Sequence, residues 1–285
     1  MKRKVLLPTD FSNNAWNAIC YAIELYKNET CVFYILNAFS TVNYHLVEAF
    51  RTAKPGEKDY ENAKSKSEKG LSKVLEMISF KDQDYPKHSF ITISAFNTVL
   101  KAVKNIVAEK DIEIVVMGTK GETNAASVAF GTNAINVMEK ARNCPVMVIP
   151  ENTKNIAPKE IVFPTNYKTN FKRRELSYLV DLAKKSISTV IVLHVSPKNE
   201  LDNTQINNKN SLEEYFQDIN YSFHFLHKGH IGSAISIFAE SRKSDMIAFI
   251  NRKHLFFDSI LTEPLVKYMG RDSKIPTLVM HDLRN

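Results

Sequence analysis

Glycine is scarce in this chain, with eight residues in 285, where average usage of about 7% would supply about 20. Yet Gly118, Gly121 and Gly131 crowd into one short stretch. Glycines placed this way let a backbone turn so that successive N–H groups point inward and cradle an anion. Gly131-Thr132-Asn133 opens an amphipathic segment carrying Ile135, Met138 and Ala141. A helix there would aim its positive end at phosphate, with Thr132 or Asn133 as N-cap or phosphate contact. Lys120 would add a point charge. Far away in sequence, Pro8-Thr9-Asp10 ends an apolar run, and Asp10 is suited to accept hydrogen bonds from a ribose or base. Together these residues predict a nucleotide site. Plainer readings stand beside it: loop turns and a close helix contact for the glycines, a cap or loop bond for Asp10, backbone satisfaction for Thr9, solvent for Lys120.

The elements that would position these residues come from an internal repeat. Val5-Leu6-Leu7-Pro8-Thr9-Asp10-Phe11, followed by Asn14, is echoed by Ile161-Val162-Phe163-Pro164-Thr165-Asn166-Tyr167, followed by Asn170. Ser89–Gly121 aligns with Ser222–His254 at an offset of 133. Val99, Val103, Ile106 and Val107 mark a helical face in the first copy, as do Ile231, Ile235, Phe238 and Ala239 in the second. Cys144-Pro145-Val146-Met147-Val148-Ile149 matches Ile275-Pro276-Thr277-Leu278-Val279-Met280, each a proline-started apolar strand. Each half reads β-α-β-α-β-α-β-α-β with strands apolar throughout. This predicts an α/β fold of two tandem doubly wound parallel-sheet domains, five-stranded, over 1–150 and 151–285. Glu151–Lys159 is the linker. Residues 41–80 and Pro197–Asn220 are expected to be solvated loop and surface helix. In such a sheet, ligands bind at the carboxyl ends of strands where the order reverses. Pro8-Thr9-Asp10 and Met117-Gly118-Thr119-Lys120-Gly121 would meet there.

The pattern G-x2-G-x9-G-(S/T)-N, with a first strand ending in P-T-D-x-S, resembles the universal stress protein family. The resemblance covers both halves and implies a Rossmann-like tandem member whose two halves pack as a pseudo-twofold pair, with Val146–Ile149 and Thr277–His281 meeting antiparallel. In that family the motif marks ATP-binding members. Carried over, it puts Pro8, Thr9 and Asp10 at the adenosine end and Ala38 at the adenine. Met117, Gly118, Gly121, Gly131, Thr132 and Asn133 fall at the ribose and phosphates. Mg²⁺ would bridge phosphates and waters rather than sit in a protein cage. The expected role is regulatory, in a stress response, without fast catalysis. A slow ATP-hydrolysing enzyme of the adenine-nucleotide α-hydrolase-like fold and an interaction protein with a vestigial site are the alternatives. A homodimer is a further alternative to the intrachain pair alone.

The second half repeats Pro8-Thr9 as Pro164-Thr165 and departs at the functional positions beyond them. Asp10 becomes Asn166, Gly118 becomes Asn251 and Gly121 becomes His254. Thr262-Glu263-Pro264 stands where Gly131-Thr132-Asn133 would be, bringing a negative charge and a lost N–H donor. One nucleotide per chain is expected.

Composition excludes several classes. The net charge is +7, divided as +3 in 1–150 and +4 in 151–285. An excess this diffuse marks no nucleic-acid site. Cys20, Cys31 and Cys144 lack metal-like spacing and read as buried, reduced thiols in a cytoplasmic protein. The apolar run at the start stops at Pro8, so no signal peptide is expected, and no stretch is apolar enough to span a membrane. His224 and His227 would point to opposite faces of a strand, with His230 beyond it, which disfavours a metal site. Arg252-Lys253-His254 reads as a solvated basic loop. No Walker motif, G-x-G-x-x-G or spaced catalytic triad occurs.

Overall fold

The computed structural model describes residues 2–40, 54–81, 86–120, 131–197, 200–227, 231–252 and 275–282. Gly121, His230, Lys253-His254 and Thr262-Glu263-Pro264 lie outside the described residues.

The first half runs β1 (Arg3–Pro8), α1 (Asn13–Leu25), β2 (Cys31–Phe39), α2 (Lys58–Lys81), β3 (His88–Phe96), α3 (Val99–Lys110), β4 (Ile114–Gly118), α4 (Thr132–Lys140) and β5 (Val146–Ile149). The second half runs β6 (Glu160–Pro164), α5 (Arg173–Ser186), β7 (Thr189–Ser196), α6 (Asn203–Phe216), β8 (Asn220–His227), α7 (Ile231–Arg242), β9 (Met246–Asn251) and β10 (Thr277–His281). All ten strands join one sheet in the order β3-β2-β1-β4-β5-β10-β9-β6-β7-β8. Every pairing is parallel except the central one, where β5 and β10 run antiparallel with Val146 opposite Val279 and Met147 opposite Leu278.

Strand alternation divides the apolar side chains between two faces. Val5, Leu7, Ile114, Val116, Met147 and Ile149 pack into one cluster with residues of α1, α2, α5 and α6. Leu6, Val115, Met117, Val146 and Val148 join a second cluster with residues of α3, α4 and α7. Both clusters contain residues of both halves, so apolar contact is continuous across the β5–β10 seam.

Two helices differ from expectation. The segment 60–80 and its counterpart are not merely solvated. Within the Lys/Glu-rich α2, Leu71, Val74 and Ile78 are buried at helical spacing, and α6 buries Leu212 and Phe216. All three cysteines are buried and none forms a disulfide, and burial pushes the thiols of Cys31 and Cys144 up to about 12.

Candidate functional site

The topology reverses at β1 and β4: from β1 the chain goes to β2 on one side, and β4 lies on the other. A pocket of about 220 Å³ opens there, at the carboxyl ends of the strands. Its lining includes Pro8, Thr9 and Asp10 from the end of β1, Ala38 from β2, and Met117, Gly118 and Lys120 from the end of β4. Gly131, Thr132 and Asn133 from the start of α4 complete it. Every sequence-nominated residue that is described lies on this pocket; Gly121 falls outside the described residues. Leu36, Val99 and Ala15 give it apolar walls, and Thr119 and Ala134 add to its polar end. Thr119 lies within the segment that the sequence places at the site without a role of its own, and the other four carry no motif.

Each wall is fixed by backbone chemistry. After β1, Phe11 adopts a left-handed conformation (φ 69°), and the loop is held by its own side chains. The Thr9 hydroxyl accepts from the Phe11 N–H at 3.0 Å, and the Asp10 carboxylate accepts from the Ser12 N–H at 3.1 Å. Thr9 therefore does serve loop backbone, while Asp10 combines a loop bond with a place on the pocket. The loop is anchored to β2, because the Thr9 N–H donates to Leu36 C=O at 2.8 Å and the Asn37 amide donates to Thr9 C=O at 2.7 Å. Ser12 then caps α1 by accepting from the Ala15 N–H.

At β4, Thr119 N–H donates to Ile149 C=O, and Gly131 N–H donates to Thr119 C=O at 2.6 Å. That bond ties the start of α4 to the end of β4. Gly131 is the N-cap, so of the two roles that the sequence offers Thr132 and Asn133, N-cap or phosphate contact, the first does not hold. Its own N–H is committed to Thr119. The first intrahelical bond of α4 runs from Ile135 N–H to Gly131 C=O. The N–H groups of Thr132, Asn133 and Ala134 precede it, so α4 presents the positive end of its dipole at the pocket.

Gly118 has a different reason from the one its spacing suggested. Among the described glycines only Gly56 has positive φ, so Gly118 makes no special turn. A Cβ at Gly118 would lie 3.0 Å from Asn14 Cγ and 3.1 Å from the Asn14 backbone C and O. The missing side chain lets the first turn of α1 press against the strand end.

The profile of the universal stress protein family matches residues 1–150 of the 285. The chain belongs to the universal stress protein family. Universal stress protein MJ0577 of Methanocaldococcus jannaschii is 28% identical over 166 residues, covering 52% of this chain and 95% of that relative. Among solved structures, a universal stress protein from Archaeoglobus fulgidus matches with TM-score 0.70 at 19% identity, over 97% of this chain and 95% of its own. PA1789 of Pseudomonas aeruginosa, a protein of unknown function, matches with TM-score 0.62 at 12% identity, over 98% and 92%. At these identities the structural likeness is one of fold.

In this universal stress protein the second half repeats the strand-end loop and discards its surroundings. Tyr167 is left-handed (φ 55°), and the Thr165 hydroxyl accepts from its N–H at 3.0 Å. Asn166 accepts from Lys168 N–H as Asp10 does from Ser12. His194 replaces Asn37, holding Thr165 C=O through Nδ1 at 2.8 Å, and burial lowers its pKa. At the end of β9 the likeness stops. The Asn251 amide points across the seam to Met138 C=O, and Arg252 turns inward. Arg252 pairs with the buried Glu175 at 2.8 Å, donates to Asn170 C=O and stacks on Phe171. Arg252 is thus no solvated loop residue, contrary to the sequence reading. Among the described residues no group of three potential metal ligands gathers; His224 shares a hydrogen bond with Ser222. No helix among them is long and apolar enough to cross a membrane.

Proposed function

We propose that residues 1–150 form a nucleotide-binding unit holding ATP, and that 151–285 form a degenerate copy paired with it about a pseudo-twofold axis. The role is regulatory, in a cytoplasmic stress response, without fast catalysis. The observation that carries this reading is the pocket itself. One end has apolar walls from Leu36, Ala38 and Val99, fit for a base. The other has the start of α4 and Lys120, fit for phosphates. Asp10 stands between a loop bond and the cavity, as a ribose acceptor would.

Mg²⁺ would reach the site on the phosphates, since the lining offers one carboxylate, Asp10, too few for a protein cage. The described lining holds only Asp10 and Lys120 as ionisable groups, which supports slow or absent turnover. In the second half, the Arg252–Glu175 pair and Asn251 occupy the matched strand end, which supports a single site per chain.

Calorimetric titration of the whole chain with Mg·ATP tests the reading. Saturation near one nucleotide per chain is expected. A flat titration overturns the site, and a stoichiometry near two overturns the asymmetry. A metal-dependent ATPase rate that survives stringent purification moves the protein to the enzyme alternative.

A further inference from the structure

Asn14 lies behind the pocket wall rather than on it. Its side chain leaves the first turn of α1, is 4% exposed, and reaches the end of β4. The amide donates to Thr119 Oγ1 at 2.9 Å and to Lys120 C=O at 3.3 Å. Both acceptors belong to residues that line the polar end of the pocket. Gly118, one residue earlier, owes its lack of a side chain to this contact, because a Cβ there would press on Asn14 Cγ and backbone. The opposite end of the same amide, Oδ1, is buried and has no partner among the described residues. A buried acceptor left without a protein partner carries a free-energy cost, and the offsetting gain lies in the two bonds on the other side.

We infer that Asn14 is a positioning residue for the phosphate end of the nucleotide site, acting through Thr119 and Lys120. The inference rests on the nucleotide reading of the pocket. Physically, a backbone segment that must aim N–H groups at an anion has to be held before the anion arrives, or binding must order it. The Asn14 amide supplies that hold: it fixes the side chain of Thr119 and the carbonyl of Lys120 from below, while the Gly131 N–H fixes the Thr119 carbonyl. The second half shows the alternative wiring. Asn170 has the rank of Asn14 in the repeat, yet it is met at its backbone C=O by Arg252, the residue at the rank of Thr119. Glu175, the partner of Arg252, is the third residue of α5, the rank that Ala15 holds in α1. There the described strand end is locked by an internal ion pair.

The test compares ligands with and without phosphates. Asn14→Leu keeps the approximate volume and removes both donations. ATP affinity should fall at least tenfold, while adenosine affinity changes less than twofold, because the apolar walls do not lean on Asn14. Thr119→Val, which cuts the tie from the loop side, should reproduce part of the ATP loss, and the double variant should lose no more than Asn14→Leu alone. If Asn14→Leu does not fold, Thr119→Val with the same two ligands decides. Equal losses for ATP and adenosine, or ATP affinity unchanged in these variants, overturn the positioning role. Failure of the unaltered protein to bind ATP at all would instead sink the nucleotide reading beneath it.

Discussion

His281 ends β10 at 4% exposure, and neither of its ring nitrogens has a partner among the described residues. Burial, aided by Arg142 and opposed by Asp282, holds its pKa down at about 4. The ring is therefore neutral in the folded protein near pH 7. In the unfolded chain it titrates near its ordinary value of about 6.5. Between those values the unfolded state binds the proton and the folded state does not, so stability falls as pH falls through that window. The loss attributable to this one ring is on the order of 3 kcal/mol across the window. His281→Phe, which removes the titration, should flatten the acid limb between pH 6.5 and 4 in urea unfolding. Parallel limbs for the two proteins would show that the ring does not govern acid stability. At this scale the sequence was only partly legible. Pro8, Thr9 and Asp10 stood out because a repeat marks them, and they do line the pocket. Asn14 shares that repeat but carries no assignable role in it, and neither does His281, since an Asn in a first helical turn, or a His in an apolar strand, has no chemical signature until its surroundings are known.

Helix α4 shows how an element sets the chemistry of its first residues. Gly131 caps it with φ −73° and ψ 160°, an extended conformation that also suits a residue preceding proline. Proline is tolerated at the first helical position, where the N–H makes no intrahelical bond. Thr132→Pro should therefore leave thermal stability within about 1 kcal/mol of the parent. On the proposed ATP site it should still weaken ATP binding by about tenfold or more, because it deletes one N–H donor at the start of α4, worth about 1.5–3 kcal/mol toward a charged acceptor. Calorimetry beside a thermal melt reads both numbers; unchanged affinity in a folded variant would mean that the phosphates do not use the start of α4. The elements themselves were legible because period and punctuation agreed: apolar strands, proline at Pro145 and Pro276, and a 3.6-residue stripe on α3. The N-cap of α4 is not legible in the sequence, where Thr132 and Asn133 offer capping side chains, whereas Gly131 caps without one and is tied through its N–H to Thr119. The burial of α2 was masked by its charge. Its mean composition is that of a solvated helix, while Leu71, Val74 and Ile78, with Ser67 one turn before them, mark the face it buries.

Across the whole molecule, the antiparallel β5–β10 pairing joins the halves through the centre of the sheet, where each proline-started strand would otherwise present an unpaired edge. That much followed from the repeat and the resemblance together. The second bond between the halves did not, because Arg3 sits between Lys2 and Lys4 and looks like part of a solvated basic start. In the structure Arg3 is buried, with Glu29 at 2.9 Å in its own half and Asp181 at 2.7 Å in the other. Its guanidinium lies 5.0 Å from the ring centre of Tyr26 and 5.8 Å from that of Tyr178. Burial raises both phenols above their usual range, and their hydroxyls share a hydrogen bond across the junction. Breaking a buried ion pair by removing one partner costs about 3–5 kcal/mol, and Lys185, which also reaches Glu29 and Asp181, should hold the cost toward the lower end. Arg3→Met is therefore expected to destabilise the chain by about 3 kcal/mol. Asp181 is half-exposed, so Asp181→Asn alone should cost about 1 kcal/mol or less. The two changes together should fall short of their sum by most of what Asp181→Asn costs alone, up to about 1 kcal/mol, the mark of contact across the junction. Because both apolar clusters run through the seam, the protein and its variants should unfold in one transition, with the midpoint shifted and the denaturant slope preserved. Two resolved transitions, or strict additivity of Arg3→Met and Asp181→Asn, would mean that the halves stand independently and that the buried arginine merely lies between them.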